Sequence, residues 1–199
     1  RDWQQRAIGH LLDLERARPA FTVVETEREL AGKIGGLNLR LRVDRVDRVG
    51  GELVVIDYKS GAIRKAPWRG ARMEAPQLPL YAVLHPGRPA GIAIAELEGE
   101  RAGFRGVSRE AGMIGGLQLA QEFELTEDRD RGFDWPRIKE HWYAWLDRLA
   151  RDHAEGRAQV DPKLAGDTCR HCHLDALCRV AASPPDEAAV ACSLENPES

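Results

Sequence analysis

Apolar and polar positions along this chain change period several times, and each change marks an element. Residues 53–59, LVVIDYK, make an apolar run closing on Asp57, Tyr58 and Lys59, the pattern of a strand buried on both faces. Before it, Leu39, Leu41 and Val43 alternate with Arg40, Arg42 and Asp44, and Gly50-Gly51 supplies a two-residue hairpin turn between the runs. Strands are therefore predicted near 37–49 and 53–59, preceded by another near 22–30 and by an amphipathic helix over about 3–16. A helix from Gln77 to about Leu84 is permitted, because Pro79 falls where an amide hydrogen would be unpaired anyway, and His85-Pro86-Gly87 stops it. Strands follow near 92–97 and 103–107. A charged loop, TEDRDRGFD, leads into a long helix over about 135–155, whose Ile138, Trp142, Trp145, Leu146 and Leu149 share a broad apolar face. Its tryptophans read as core.

These elements make an α/β protein (mixed α+β), with a central mixed sheet flanked by helices. The expected division is a core over 1–162, a cysteine-rich segment over 163–182 and a loosely attached polar tail over 183–199.

The hairpin concentrates acidic groups. Side chains alternate along a strand, so Asp57 and Lys59 share a face. With a tight turn Val49 faces Glu52, and counting outward sets Asp44 opposite Asp57. Opposed side chains have Cβ atoms about 5 Å apart, and like charges there repel. A divalent cation is the economical compensation: two carboxylates and the carbonyl of Tyr58 suit Mg²⁺ or Mn²⁺. Lys59 would then orient an attacking water and stabilise charge on a phosphate. Apolar spacing shifts to Val43, Val46 and Val49 around Asp44, and a bulge there would displace the pairing by one residue.

Each piece also has an ordinary reading. An aspartate two before a lysine arises by chance about once in a chain of this length. Asp44 and Asp47 also fit a solvated ladder with Arg42, Arg45 and Arg48. The conjunction with Gln77 and Tyr81 favours chemistry, since residues four apart on a helix are neighbours and offer neutral donors to a phosphate or base. In the loop between Lys59 and Gln77, Trp68, Arg69 and Arg72 could grip a phosphate backbone, or Trp68 could pin the loop to the core.

Composition narrows the classes. The 199 residues, 43% hydrophobic and 31% charged, suffice for one substantial core. A net charge of -3 gives no global pull toward nucleic acid, so DNA binding would rest on local basic groups, bound cations or other domains. No signal peptide or membrane-length apolar stretch is found, and a cytoplasmic protein is expected. Cys169, Cys172 and Cys178 lie in CRHCHLDALC, a spacing of metal ligands rather than a disulfide framework, while Cys192 stands apart. A Zn²⁺ site using His171 or His173 with these cysteines is one reading.

Asp44, then Asp57-Tyr58-Lys59, then Gln77 to Tyr81 as Q-x-x-x-Y resembles the RecB-like branch of the PD-(D/E)xK nucleases, in order and spacing over roughly residues 20–100. The resemblance implies a restriction-endonuclease-like core and metal-dependent cleavage of DNA in recombination or repair, beside a helicase domain in the same or a partner chain. It implies that Asp44 and Asp57 bind Mg²⁺ or Mn²⁺, that Lys59 is catalytic, and that Gln77 and Tyr81 help bind substrate. It also suggests a metal-side glutamate on the preceding strand, for which Glu27 is chosen among Glu25, Glu27 and Glu29. The cysteine trio resembles that of AddB-type relatives, where it joins an upstream cysteine on a 4Fe-4S cluster. No cysteine precedes Cys169, so the ligand set is incomplete and a piece of a longer chain is expected. His10 has the wrong spacing for the family's helical histidine.

Overall fold

The structure is a computed structural model, and it describes residues 2–61, 67–70, 72–97, 102–126, 130–162, 169 and 172–178. The chain divides into two compact units, 1–156 and 157–199. In the first, helix α1 (Asp2–Arg16) precedes strands β1 (Phe21–Ile34), β2 (Leu37–Val49) and β3 (Glu52–Lys59). Helix α2 (Gln77–Leu84) crosses to β4 (Gly91–Glu96), followed by β5 (Gly103–Ser108), β6 (Leu117–Leu119), a 3-10 turn at Ala120–Glu122 and helix α3 (Trp135–Ala154). The second unit contributes the short helix α4 (Asp175–Cys178). No helix among the described residues is long and apolar enough to cross a membrane.

One six-stranded sheet runs in chain order from β1 to β6. Pairs β1/β2, β2/β3 and β4/β5 are antiparallel, whereas β3/β4 and β5/β6 are parallel, so the sheet is mixed. Strand β3 is central and buried on both faces, as its unbroken apolar run requires. Val55 joins Ile92, Ile94, Leu78, Tyr81, Ile138 and Trp142 in the larger core, beneath α2 and α3. Val54 and Ile56 join Leu11 of α1, Ala93, Ala95 and Phe104 on the opposite face.

Both hairpins turn on glycine pairs. Gly50 and Gly51 have φ of 57° and 91°, which a two-residue turn matching strand twist demands, and Val49 pairs with Glu52. Gly35-Gly36 repeats the device, with φ of 53° and 86°, between Ile34 and Leu37. The first hairpin is thus longer than the strand expected near 22–30, and its tip is tied to α3 by the Gly35 N–H donating to Asp147 Oδ1 at 3.0 Å. β6 and the 3-10 turn were not anticipated. Three residues are too few to display a period.

Under α1 the sheet buries charge. Arg18 contacts Asp47 Oδ2 at 2.7 Å and Glu15 at 2.7 Å, and lies 4.0 Å from the centre of the Phe21 ring. Arg45 meets Asp47 at 2.7 Å, Glu15 at 2.8 Å and the Tyr58 hydroxyl at 2.9 Å. Burial alone would lower the pKa of Arg45, but hydrogen bonds to Asp47, Tyr58 and Glu15 raise it above that of a free arginine. Asp47 and Arg45 therefore belong to a buried network, not the solvated ladder that the sequence also permitted. Breaking such a network costs about 3–5 kcal/mol, because the remaining charge loses its partner.

Candidate active site

The acidic end of β3 emerges on the larger-core face. Residues in register across a sheet share a face, and Asp57 pairs with Ile94, a member of the core beneath α2. Asp57 is 1% exposed. The Lys59 ammonium lies 2.8 Å from its Oδ2, although that oxygen lacks a well-directed hydrogen bond. Burial pushes the Asp57 carboxyl above the ordinary carboxylate value, Lys59 pulls it down, and the charge of Asp44 raises it further.

From Lys59 a chain of donors runs in one direction. Its ammonium donates to Gln77 Oε1 at 3.0 Å, the Gln77 amide donates to the Tyr81 hydroxyl at 2.9 Å, and Tyr81 donates to the carbonyl of Arg42. The i, i+4 spacing on α2 puts glutamine and tyrosine together, and the helix begins at Gln77 with Pro76 at its cap. Tyr81 is 2% exposed, with its hydroxyl engaged on both sides. Burial foremost, with the charges of Asp57 and Asp44, raises its pKa and keeps it a neutral donor. Gln77 is exposed and carries the chain to the surface.

Where β2 meets this face, its ladder stops. Paired residues end at Arg45 with Ile56, and one step further in the same register come Asp44 and Asp57. There the Tyr58 N–H donates to Asp44 Oδ2 at 3.0 Å, a side chain taking the place of a strand carbonyl. The carbonyls of Leu53 and Lys59 accept from Ala90 and Leu97 on the β4 side. Strand alternation therefore turns the Tyr58 carbonyl the other way, toward the gap beside Asp44. Two carboxylates and a backbone carbonyl are hard oxygen donors, and a buried Asp57 oxygen with no well-directed hydrogen bond suits a divalent cation such as Mg²⁺ or Mn²⁺.

The register shift expected at Asp44 does not occur there; β1 and β2 shift register between Val23 and Glu25 instead. Thr26 pairs with Arg45 and Arg28 with Val43, while Glu27 and Asp44 between them form no ladder pair. Val43 and Val46 consequently both reach the larger core. The β1/β2 register is the same on either side of Glu27 and Asp44, and the hydrogen bond from the Tyr58 N–H holds Asp44 beside the end of β3.

Other candidate residues lie elsewhere. Glu27 adopts a φ of 50°, and its carboxylate, 57% exposed, is ion-paired with Arg42. Glu25 instead lies on the larger-core side, where His85 Nε2 is 2.9 Å away. The His85 Nδ1 accepts the Gly87 N–H at 3.0 Å, which leaves Nε2 to donate to Glu25. Trp68 is 3% exposed in the core, which decides between its two readings in favour of packing. Arg69 is paired with Glu124, and Arg72 is exposed on the loop before α2. His10 is exposed on α1.

In the second unit the Cys172 N–H donates to the Cys169 carbonyl at 3.0 Å, and Cys178 ends α4. Cys169, Cys172 and Cys178 form no disulfide. Among the described residues no group of three or more His, Cys, Asp or Glu side chains is placed to hold a metal. The cysteine trio is thus not gathered as a ligand set. His171, Cys192 and most of 163–199 lie outside the described residues.

A sheet of this composition, with helices on both faces, is the restriction-endonuclease-like fold. Over residues 1–179 the sequence matches the PD-(D/E)XK nuclease superfamily, and the chain belongs to that family. Among solved structures it is similar to that of SSO0001, at 16% identity and a TM-score of 0.39, over 85% of this chain and 66% of that one. The chain thus spans about two thirds of that protein's length. No curated protein matches it.

Proposed function

We propose that this chain is a DNA-cleaving domain of the RecB-like branch, hydrolysing phosphodiester bonds in recombination or repair beside a helicase domain. The observation that carries the reading is the continuous chain from Asp57 through Lys59, Gln77 and Tyr81 to the opened end of β2. Asp44, Asp57 and the Tyr58 carbonyl would hold Mg²⁺ or Mn²⁺. When bound, the ion supplies Lewis acidity toward a phosphoryl oxygen and favours ionisation of water. Lys59, as an ammonium, would stabilise negative charge on the phosphate as water attacks phosphorus and the bond to the leaving oxygen breaks. Gln77 holds Lys59 at that position and is near enough to the surface to touch the DNA strand. Tyr81 acts through Gln77 as a positioning residue.

Cleavage of single- and double-stranded DNA with Mg²⁺, compared with chelator and with Lys59→Ala, tests the reading. The parent is expected to cleave only with the cation, and Lys59→Ala to lose at least about 100-fold, the scale of removing one donor to a developing anion. A parent that binds DNA but never cleaves it would instead identify a silent, DNA-holding relative.

The cysteine segment is proposed, on spacing alone, as a separate site for a 4Fe-4S cluster or Zn²⁺. Metal analysis decides it. Iron with acid-labile sulfide, or zinc, should survive loss of Asp44 and Asp57 and disappear with Cys169 and Cys172.

A further inference from the structure

At the end of the sheet away from Lys59, basic side chains from three elements gather. Strand β3 runs from Val54, in register with Gly91, to Lys59, in register with Glu96, so the start of β4 lies roughly 17 Å from Lys59 at about 3.3 Å per residue. Arg88, Pro89 and Ala90 form the loop that enters β4 there. The Pro89 carbonyl accepts the Trp135 indole N–H at 2.8 Å, and the Ala90 carbonyl accepts the Arg109 N–H at 2.7 Å. One turn along α3 from Trp135, the Lys139 ammonium lies 6.0 Å from the centre of the Trp135 ring. These contacts draw Arg88, Arg109 and Lys139 together. Arg109 is paired with Glu52 at 2.6 Å and with Glu110 at 3.0 Å, but among the described residues neither Arg88 nor Lys139 has an acidic partner.

We propose that Arg88 and Lys139 form a binding site for a phosphate group, separate from the cleavage site and independent of its chemistry. Two observations set this pair apart from ordinary surface cations. Arg88 holds a φ of 50°, a left-handed backbone that glycine adopts freely, directly before a proline that favours an extended residue in front of it. Strain of that kind collects where a side chain is held for a ligand. Lys139, for its part, is half-buried rather than free to swing into water. Burial foremost, then the charges of Arg88 and Arg109, lowers its pKa below the ordinary 10.5. A leucine would cover Trp135 without that penalty. Two crowded cations without a counter-charge are the converse of the acidic site, and a bound anion relieves them. A carboxylate presents two oxygens in one plane, which a single arginine satisfies, whereas a phosphate presents oxygens on all sides and can be gripped by the Arg88 fork and the Lys139 point charge at once. The phosphate belongs either to a nucleic-acid backbone or to a small molecule, and the two are separable by experiment.

The test uses the 199-residue chain with chelator present, so that cleavage plays no part. Inorganic phosphate is titrated by calorimetry, and a short labelled DNA duplex and its single strand are followed by fluorescence anisotropy over a series of salt concentrations. Lys139→Gln and Arg88→Gly are each expected to weaken the binding about tenfold, the scale of losing one charged hydrogen bond. Lys139→Arg, which keeps the charge, should retain most of the affinity. Lys33→Gln, which removes an exposed charge at the tip of the first hairpin, should leave phosphate binding unchanged. Arg88→Gly also relieves the left-handed backbone, so it should melt at or above the parent while losing the ligand. If it melts early, Lys139→Gln decides. Weaker binding of either strand form in these variants, with the slope of log affinity against log salt reduced by about 1 for each, assigns the phosphate to nucleic acid. Unchanged strand binding with weakened phosphate binding assigns it to a small phosphate-bearing molecule. Equal binding of phosphate and of both DNA forms by parent and variants, or a parent that binds none of them, overturns the proposal.

Discussion

Asp57 carries an energetic penalty before any cation binds. Its burial, and the nearby Asp44, hold its carboxyl above the ordinary value of 3.8, despite Lys59 alongside. A folded-state pKa raised this way means that ionisation disfavours the fold: stability present below about 3.8 is lost as pH rises through the raised value. With divalent cations chelated, Asp57→Asn is therefore expected to melt above the parent at neutral pH, with the difference shrinking toward acid pH. Calorimetric scans across pH check this. Mg²⁺ should stabilise the parent and leave the variant unmoved, since a ligand stabilises only the state that binds it.

Glu27 poses the opposite question. A non-glycine residue at φ 50° carries strain of about 1 kcal/mol, and its exposed pair with Arg42 returns little of that. Glu27→Gly is expected to raise stability by roughly 0.5–1 kcal/mol in urea unfolding and to leave Mg²⁺-dependent cleavage intact. A cleavage loss of tenfold or more would make Glu27 a working member of the site. Among the three alternating glutamates, nothing in the spacing reveals which one takes the left-handed backbone conformation.

At the scale of elements, the glycine hairpins decide the register. Counting from Gly50-Gly51 was enough to set Val49 against Glu52 and Arg45 against Ile56, and two prolines were enough to locate the start of α2, because turn geometry and missing amide hydrogens are local facts. The strand β1 was foreshortened because most of its positions are exposed, which blurs the apolar alternation by which a strand is recognised. Asp47 was illegible for a different reason: its partners Arg18 and Arg45 converge only once α1 lies on the sheet. Gly35 exposes how tightly the first hairpin meets α3. A Cβ there would lie 2.5 Å from Ala150 Cβ and 2.6 Å from the Asp147 carbonyl, at a φ that side chains avoid. Gly35→Ala should cost about 2 kcal/mol or more, measured by urea unfolding, and a neutral result would mean that the tip does not rest against α3.

Across the whole molecule the sheet divides its labour. The α1 face pairs its buried charges with one another, through Arg18, Arg45, Asp47 and Glu15, whereas on the α2 face Asp44 and Asp57 lie close together with the Lys59 ammonium 2.8 Å from Asp57. An excess of buried negative charge on one face is what a site for a divalent cation requires, and the fold supports it at a cost in stability. The most direct measurement is anomalous diffraction from crystals of this chain soaked in Mn²⁺. The account predicts a peak between the carboxylates of Asp44 and Asp57, within bonding distance of the Tyr58 carbonyl. A peak elsewhere, or carboxylates too far apart to share one ion, would contradict it.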